Sequence, residues 1–193
     1  KADGGSIRLL GKTLQIKTPS DAVAAGIGYL SEDRKRYGLC LGLSCADNII
    51  LPSLEHYSQG IVMDDKRKKA VSEEYKTKIK IKTPTVETPA ISLSGGNQQK
   101  VVIAKWLVRN CDVLIFDEPT RGIDVGAKSE IYDLMDTLAK EGKGIIMVSS
   151  DMPEILRMSD RVAVMCEGRL TGIVNIEDAT QEKIMHLATP GVN

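Results

Sequence analysis

Short apolar runs alternate with segments of helical periodicity over the second half of the chain. Val113 to Phe116 and Ile145 to Val148 are unbroken apolar runs, which are typical of strands covered on both faces. Apolar residues recur at helical spacing over 96–109 and again over 127–140. This alternation of buried strand and helix predicts an α/β fold with a mainly parallel sheet and flanking helices.

The two ends of the chain show a different pattern, because turn residues separate short apolar runs there. Residues 6–10 and 14–16 predict one hairpin, and residues 161–166 and 170–174 predict a second. The remaining predicted elements are helices over 22–25 and 152–158, a strand over 27–30 and a final helix capped by Thr180.

The region from 31 to 88 is rich in charged residues, and we predict no strand within it. Residues 44–51 and 66–80 have helical character, and Pro84 and Pro89 close the region. The predicted division is therefore a core subdomain, 1–33 and 94–193, with an inserted helical subdomain, 34–93.

Composition indicates an ordinary globular domain and excludes several other classes of protein. The chain has 193 residues, and its 26 basic residues balance 26 acidic ones, which argues against binding nucleic acid by bulk charge. Aromatic residues make up only 4%, so base-stacking surfaces are not expected. No apolar run approaches the roughly 18 residues of a membrane-spanning helix. The four cysteines show no C-x-x-C spacing, so we expect reduced thiols.

A serine and two glycines open the helix predicted over 96–109. Ser94 is a suitable cap, and Gly95 and Gly96 leave the backbone N–H groups at the positive end of the helix accessible. Glycine also lets an anion approach the backbone closely. An ordinary capped helix is the alternative, but the full string that begins at Leu93 favours an anion-binding helix N-terminus.

Two carboxylates follow the apolar run that ends at Phe116. Ligands bind at the carboxyl ends of the strands in an open parallel sheet, so Asp117 and Glu118 are expected to face a ligand. Asp117 suits Mg²⁺, bound directly or through water. Glu118 suits the orientation of an attacking water. A strand that merely ends in two surface acids is the alternative interpretation.

These two strings resemble the signature and Walker B motifs of the ATP-binding-cassette family. Arg121 to Asp124 then falls where that family has its D-loop. The resemblance covers essentially the whole chain, and it narrows to the second cassette of bacterial monosaccharide importers of the ribose, galactose and xylose type, which fuse two cassettes in one chain. The further strings that carry it are Glu32-Asp33-Arg34-Lys35, the asparagine-bearing string from Leu93 to Lys100, Val125-Gly126-Ala127-Lys128 and Ser149-Ser150-Asp151-Met152-Pro153-Glu154.

The resemblance implies an ABC-type P-loop NTPase core and an ATPase, dependent on ATP and Mg²⁺, that powers monosaccharide import. In this family two cassettes clamp two ATP molecules head to tail, so the signature motif of one contacts ATP held by the other. The residues implied in nucleotide binding are Leu93, Ser94, Gly95, Gly96, Asn97, Gln98 and Asp124. The implied metal residue is Asp117, and the implied catalytic residues are Glu118, Ser150 and Glu32.

The resemblance also implies partners and a location. The expected partners are the N-terminal cassette of the same parent chain and membrane permease subunits, with a sugar-binding protein contacted only indirectly and no nucleic acid. The expected location is the cytoplasmic face of the membrane, as a peripheral subunit. Tyr37 to Leu39 and the helical insertion are candidates for the permease-facing surface, with a solvated face as the alternative.

Three departures from the family pattern bear on activity. The sequence holds no G-x4-G-K-[ST] string: Gly5 to Thr13 is one residue too long and continues as a strand. We therefore expect the Walker A motif to lie upstream of Lys1 and the isolated fragment to be inactive. Glu32 aligns with the Q-loop glutamine, where an acid repels phosphate unless a metal ion lies between them. Ser150 aligns with the switch histidine but lacks its near-neutral proton acceptor, so the site on this cassette's own face is expected to be weak.

Two other functions stay open. One is a catalytically degenerate half that dimerises or regulates and binds ATP only in trans, for which Glu32 and Ser150 argue. The other is a non-transport ABC ATPase that acts on ribosomes or DNA, against which zero net charge and scarce aromatic residues argue.

Overall fold

The computed structural model describes residues 3–60 and 62–191 and divides into two compact units, residues 1–146 and 147–193. In chain order, the strands and α-helices of the first unit are β1 (Ile7–Leu9), β2 (Lys12–Leu14), α1 (Pro19–Ala24), β3 (Ile27–Leu30), α2 (Cys45–Ile50), β4 (Ser58–Gln59), β5 (Val62–Met63), α3 (Asp65–Lys78), α4 (Gly95–Val108), β6 (Val113–Asp117), α5 (Val125–Lys140) and β7 (Gly144–Val148), whose last residues belong to the second unit. The second unit continues with α6 (Met152–Met158), β8 (Arg161–Cys166), β9 (Arg169–Asn175) and α7 (Gln181–Ala188).

The first hairpin pairs β1 with β2 in antiparallel register, with Ile7 opposite Leu14. Lys12 and Thr13 therefore lie in a strand and not in a phosphate-binding loop, which confirms the rejection of the string from Gly5 to Thr13. The second strand begins at Lys12, two residues earlier than the sequence predicted, because pairing across the turn at Gly11 continues directly into it.

β3, β6 and β7 form a three-stranded sheet in the order β3-β6-β7, and the candidate acid pair lies at the carboxyl end of β6. β3 and β6 are parallel, as predicted, and Leu114 and Phe116 of β6 are fully buried. The prediction that both apolar runs are covered on both faces is wrong for β7. Its residues Ile146 and Val148 are each 51% exposed, because the described residues leave that face of the strand open.

Helix α4 is the central packing element of the first unit. Ten of its fourteen residues are buried, so burial extends well beyond the single stripe that the periodicity predicted. It packs against α2, α3 and β3. A Cβ on Gly28 of β3 would lie 3.0 Å from Trp106 Cγ and 3.1 Å from Leu114 Cδ2, so this approach requires glycine.

The insertion over 34–93 contains the predicted helices, as α2 and α3, together with structure that the sequence did not predict. β4 and β5 form a small antiparallel hairpin, which contradicts the prediction of a strand-free region. A π-helical turn occupies Arg34–Gly38. Asn48 of α2 is fully buried and its side chain bonds backbone groups of Cys40, Leu43 and Ser44, which fixes the loop before α2.

The second unit confirms the predicted closing hairpin and final helix. β8 and β9 are antiparallel, with Val162 opposite Val174. Val162, Val164 and Ile184 of α7 form the core of this unit. Thr180 caps α7 as predicted, since its Oγ1 accepts a hydrogen bond from the Lys183 N–H.

Two expectations from composition concern residues 3–60 and 62–191. No helix there has the length and apolarity needed to cross a bilayer. All four cysteines lie in this part of the chain and are unpaired thiols, in agreement with the sequence.

Candidate functional site

A cleft of about 260 Å³ opens at the N-terminus of α4. It is lined by Lys82, Ser94, Gly96, Asn97, Asp124, Gly126, Ala127 and Glu130. The structure thus brings the start of the predicted signature helix next to the start of α5, where the predicted D-loop ends. Four of the seven residues implied in nucleotide binding line this one cleft.

Ser94 occupies the N-cap position of α4 but does not act as the sequence predicted. Its backbone is extended and its carbonyl accepts the Gln98 N–H at 2.9 Å, whereas its side chain makes no capping hydrogen bond within the described chain. Instead, Asn97 Nδ2 donates to Ser94 Oγ at 2.9 Å. The hydroxyl therefore leaves the first N–H groups of the helix to another acceptor, as an anion site requires.

Packing gives the two glycines of the predicted signature motif a role in addition to the predicted approach of an anion. A Cβ on Gly96 would lie only 2.7 Å from the Ala127 Cβ, so α4 and α5 begin in close contact. A Cβ on Gly95 would lie 2.6 Å from Arg34 Nη2 and 3.0 Å from the Gly122 carbonyl oxygen. The guanidinium of Arg34 consequently places a cation beside the positive end of α4.

Asp124 caps α5, because its Oδ1 accepts the Ala127 N–H at 2.9 Å. This hydrogen bond fixes the carboxylate at the mouth of the cleft. The sequence predicted Asp124 at the nucleotide through resemblance, and the capping geometry adds the physical reason for its fixed position.

The acid pair lies at the carboxyl end of β6, where the topology predicted it. The Tyr29 hydroxyl donates to Asp117 Oδ2 at 2.5 Å, and this hydrogen bond raises the pKa of Tyr29. Glu118 has a φ of +48°, a left-handed conformation that costs a non-glycine residue about 1–3 kcal/mol. Strain of this kind at the end of a strand is typical of functional positions.

Sequence reasoning missed Tyr29, although the strand register contains the signal. Tyr29 pairs with Ile115 in the parallel ladder, and Asp117 lies two residues further along the same face of β6. Tyr29 could have been identified only from the register between β3 and β6, and this register is known only once the two strands are known to be neighbours.

The donor set at Asp117 fits Mg²⁺ that is shared with a phosphate. Carboxylate oxygen is the ligand that Mg²⁺ prefers, and this ion commonly keeps several water or phosphate ligands. In residues 3–60 and 62–191, no three His, Cys, Asp or Glu side chains form a metal-holding group. A magnesium ion at Asp117 would therefore complete its shell with phosphate oxygens and water.

Glu32 faces a cation in the structure, which corrects the picture of an uncompensated acid. Its carboxylate forms an ion pair with Arg121. Two residues on, Arg34 donates through Nη1 to the Arg121 carbonyl at 2.9 Å and through Nη2 to the Gly122 carbonyl at 3.3 Å. These contacts join the loop after β3 to the predicted D-loop, and no pattern in the sequence indicated them.

Three of the seven residues implied in nucleotide binding do not line the cleft: Leu93, Gly95 and Gln98. Gln98 is only 3% exposed, and its side-chain amide donates inward to the Ala90 carbonyl at 3.1 Å. Gln98 is thus buried, and its role in nucleotide binding stays a prediction. Leu93 is half-buried in the turn before α4 and its N–H also bonds the Ala90 carbonyl.

Ser150 belongs to the second unit, between the end of β7 and the N-cap of α6. It is exposed. The neighbouring Ser149 donates to Glu154 Oε2 at 2.5 Å, and Glu154 is only 2% exposed. This serine–glutamate contact orders the loop that carries Ser150, and the sequence did not single it out.

The carboxylate of Glu130, which lines the cleft, forms ion pairs with two lysines. Glu130 Oε2 lies 2.7 Å from Lys100 Nζ, and Glu130 Oε1 lies 2.8 Å from Lys82 Nζ. The hydrogen bonds from Lys100 and Lys82 lower the pKa of Glu130 to about 2. Lys100 is 3% exposed and also donates to the Lys80 carbonyl at 2.9 Å.

The family profile described as ABC transporter matches residues 1–121, which is more than half of the chain. Together with the fold and the motifs placed above, this match shows that the chain belongs to the ABC transporter family.

The similar proteins are sugar-import components that are much longer than this chain. Identity is 60% to import ATP-binding protein 3 of Burkholderia ambifaria, whose name gives ribose, galactose and methyl galactoside, over 97% of this chain and 37% of that protein. Identity to the xylose import ATP-binding protein XylG of Thermoanaerobacter pseudethanolicus is 54%, over 97% of this chain and 37% of that protein. The chain thus spans less than two fifths of these relatives.

Solved structures confirm the fold. The ATP-binding cassette MJ1267 of an ABC transporter superimposes with a TM-score of 0.79 at 18% identity, over 97% of this chain and 78% of that one. The cassette MJ0796, in a dimeric post-hydrolysis state with ADP and phosphate, superimposes with a TM-score of 0.73 at 20% identity, over 90% of this chain and 74% of that one.

Proposed function

We propose that this chain is part of an ATPase that powers monosaccharide import and that its α4 tip binds the ATP held by a partner cassette. The observation that carries the proposal is the cleft that joins Ser94 and Gly96 to Asp124. Backbone N–H groups at a helix N-terminus attract phosphate, and fixed donors of this kind stabilise the charge on a transferring phosphoryl group. The names of the relatives support a sugar as the transported substrate.

The acid pair serves the ATP bound on this cassette's own face. Asp117 would hold Mg²⁺, which neutralises charge on the phosphates. The Tyr29 hydroxyl keeps the Asp117 carboxylate in one orientation. Glu118 orients the attacking water, and its left-handed backbone sets the direction of its side chain.

The proposed partners are an N-terminal cassette, which supplies the ATP that the α4 tip contacts, and permease subunits at the cytoplasmic face of the membrane. The division into a core subdomain, 1–33 and 94–193, and a helical subdomain, 34–93, belongs to this proposal. Exposed apolar side chains in the helical subdomain support a permease-facing surface there: Tyr37, Leu43, Leu54, Val62 and Ile91.

A catalytically degenerate half is the second candidate, and one observation favours it. Glu32, at the position of the Q-loop glutamine, is paired with Arg121 of the same chain. A carboxylate that is committed to this ion pair does not perform the glutamine's neutral hydrogen bonding. On this alternative, the chain contributes Ser94 to a partner's ATP and performs little chemistry at its own acid pair.

A serine substitution tests the proposed role of the α4 tip. In the complete gene product that carries this sequence, assembled with its permease, we expect Ser94→Ala to lower ATP turnover roughly 10²-fold, the loss typical of removing one fixed donor. Ser129→Ala, an exposed serine on α5, is the matched control and should leave turnover unchanged. Wild-type turnover in Ser94→Ala would exclude the proposed contact.

A second substitution tests whether the acid pair of this chain forms an active or a degenerate site. Glu118→Gln is made in the same gene product and compared with the equivalent change in the first cassette. If this site is degenerate, the Glu118→Gln variant retains most of its turnover, because hydrolysis occurs at the other ATP. An equally deep loss from both changes would reject the degenerate half.

A further inference from the structure

We propose that Asn97 is a positioning residue that makes the Ser94 hydroxyl a hydrogen-bond donor to phosphate, and that Asn97 does not itself contact the nucleotide. The inference rests on the proposed function of the α4 tip and deepens it. The observation behind it is that the Asn97 side-chain amide forms hydrogen bonds with both Lys82 and Ser94.

Both ends of the Asn97 amide are engaged within the chain. Its Oδ1 accepts the Lys82 backbone N–H at 2.7 Å, and its Nδ2 donates to Ser94 Oγ at 2.9 Å. A backbone N–H is a donor only, so the end of the amide that faces Lys82 must be the oxygen. The NH₂ end therefore faces Ser94, and the orientation of the amide follows from chemistry alone.

The orientation of the amide determines what the serine hydroxyl does. A hydroxyl has one proton and two lone pairs, and accepting the Asn97 N–H uses one lone pair. The Ser94 proton then points away from Asn97. Since Ser94 is exposed and lines the cleft, that proton is available to an anion in the cleft.

The anchor of this arrangement is the segment 80–82, and Glu130 fixes it. Glu130 binds the Lys82 side chain at 2.8 Å and the buried Lys100 at 2.7 Å, and Lys100 in turn holds the Lys80 carbonyl. The Lys82 N–H is therefore held in place on two sides. A chain of contacts leads from α5 through Lys82 and Asn97 to the Ser94 hydroxyl.

Direct contact of Asn97 with the nucleotide would need its amide to leave both partners. The NH₂ group would leave Ser94, and the oxygen would leave the Lys82 N–H. A positioning role needs no such rearrangement, and it predicts that Asn97 acts only through Ser94.

A double-mutant cycle in the complete gene product tests this dependence. Ser94→Ala and Asn97→Ala should each lower kcat for ATP, the second by roughly 10-fold, with KM changed much less. In the Ser94→Ala background, Asn97→Ala should have no further effect on kcat. If the two effects on kcat multiply, the positioning role is overturned and the proposed function stays intact. If Ser94→Ala retains full turnover, both are overturned.

An isosteric substitution tests the direction of the hydrogen bond. Asn97→Asp replaces the donor NH₂ with an acceptor oxygen, so the Ser94 proton turns inward and is withdrawn from the anion. We expect its kcat to fall below that of Asn97→Ala, although it keeps the Lys82 N–H contact and the urea midpoint of the parent. A kcat equal to or above that of Asn97→Ala would contradict the proposed donor direction.

Discussion

Gly28 and Gly96 lie where two elements approach more closely than a Cβ allows. Gly28 faces Trp106 and Leu114, and Gly96 faces Ala127. From the sequence, Gly96 was assigned to anion approach and Gly28 received no role. A residue type alone does not reveal which distant side chain lies against it, so packing requirements of this kind appear only in the structure.

We expect Gly28→Ala to destabilise the chain by about 1–3 kcal/mol, the usual cost of overpacking a core. The added methyl would lie 3.0 Å from Trp106 Cγ and 3.1 Å from Leu114 Cδ2, so side chains on α4 and β6 would have to move. Urea unfolding measures the change. Gly42→Ala, at an exposed glycine with no atom within 4 Å, is the control and should change stability by less than about 0.5 kcal/mol.

Lys105 is a buried cation whose charge opposes folding. It is 6% exposed, its Nζ donates to the Gly38 carbonyl at 2.5 Å, and burial lowers its pKa from 10.5 to about 8. Because the folded state binds fewer protons than the unfolded state between these values, stability should rise as pH increases from about 8 to 10.5.

The test is urea unfolding at pH 7.5 and pH 10. Lys105→Met, which keeps the length and removes the charge, should abolish the rise, whereas Lys66→Met on the exposed face of α3 should retain it. A pH dependence in Lys105→Met equal to that of the parent would assign the rise to another group.

At the scale of elements, long periodic segments were predictable and short ones were not. α4 and α5 were placed within one or two residues, because the helical periodicity of their apolar residues marks both segments. The β4–β5 hairpin was missed, since two-residue strands carry no measurable alternation. The cover over β7 was also mispredicted, because an apolar run shows that a strand suits burial but not whether another element lies on it.

The Glu130 contacts join α5 to α4 and to the segment 80–82, and the stability that they contribute should depend on pH. The pKa of Glu130 falls from its ordinary 4.5 to about 2, so its contribution is complete above pH 4.5 and is lost as pH falls towards 2. We expect Glu130→Gln to flatten the loss of stability between these values, measured by thermal unfolding. Asp136→Asn, an exposed acid on the same helix, should leave it unchanged.

At the scale of the whole molecule, the site combines what the sequence shows with what only folding shows. The acid pair and the helix tip were predictable, because each is a contiguous string at the end of an element. The pairs Tyr29–Asp117, Glu32–Arg121 and Arg34–Gly122 were not predictable, since their members are 88 to 89 positions apart. Only the pairing of β3 with β6 brings them together.

The chain by itself should bind Mg-ATP weakly. Its sequence holds no G-x4-G-K-[ST] string, so the backbone cradle and lysine that hold the phosphates in P-loop proteins are not supplied by these residues. We expect isothermal titration calorimetry to give a dissociation constant no tighter than millimolar, and tighter binding for the complete gene product. A micromolar constant for this chain would show that other residues hold the triphosphate.

The contact between Gly96 and Ala127 sets a limit on mutational change at position 127. With 2.7 Å between the Ala127 methyl and the place of a Cβ on residue 96, the helix starts already touch without one. We expect a branched residue at 127 to place further atoms against the start of α4 and to change the distance between Ser94 and Asp124. The small size of residue 127, which also lines the cleft, therefore helps to set the spacing of the surface that we propose meets a phosphate.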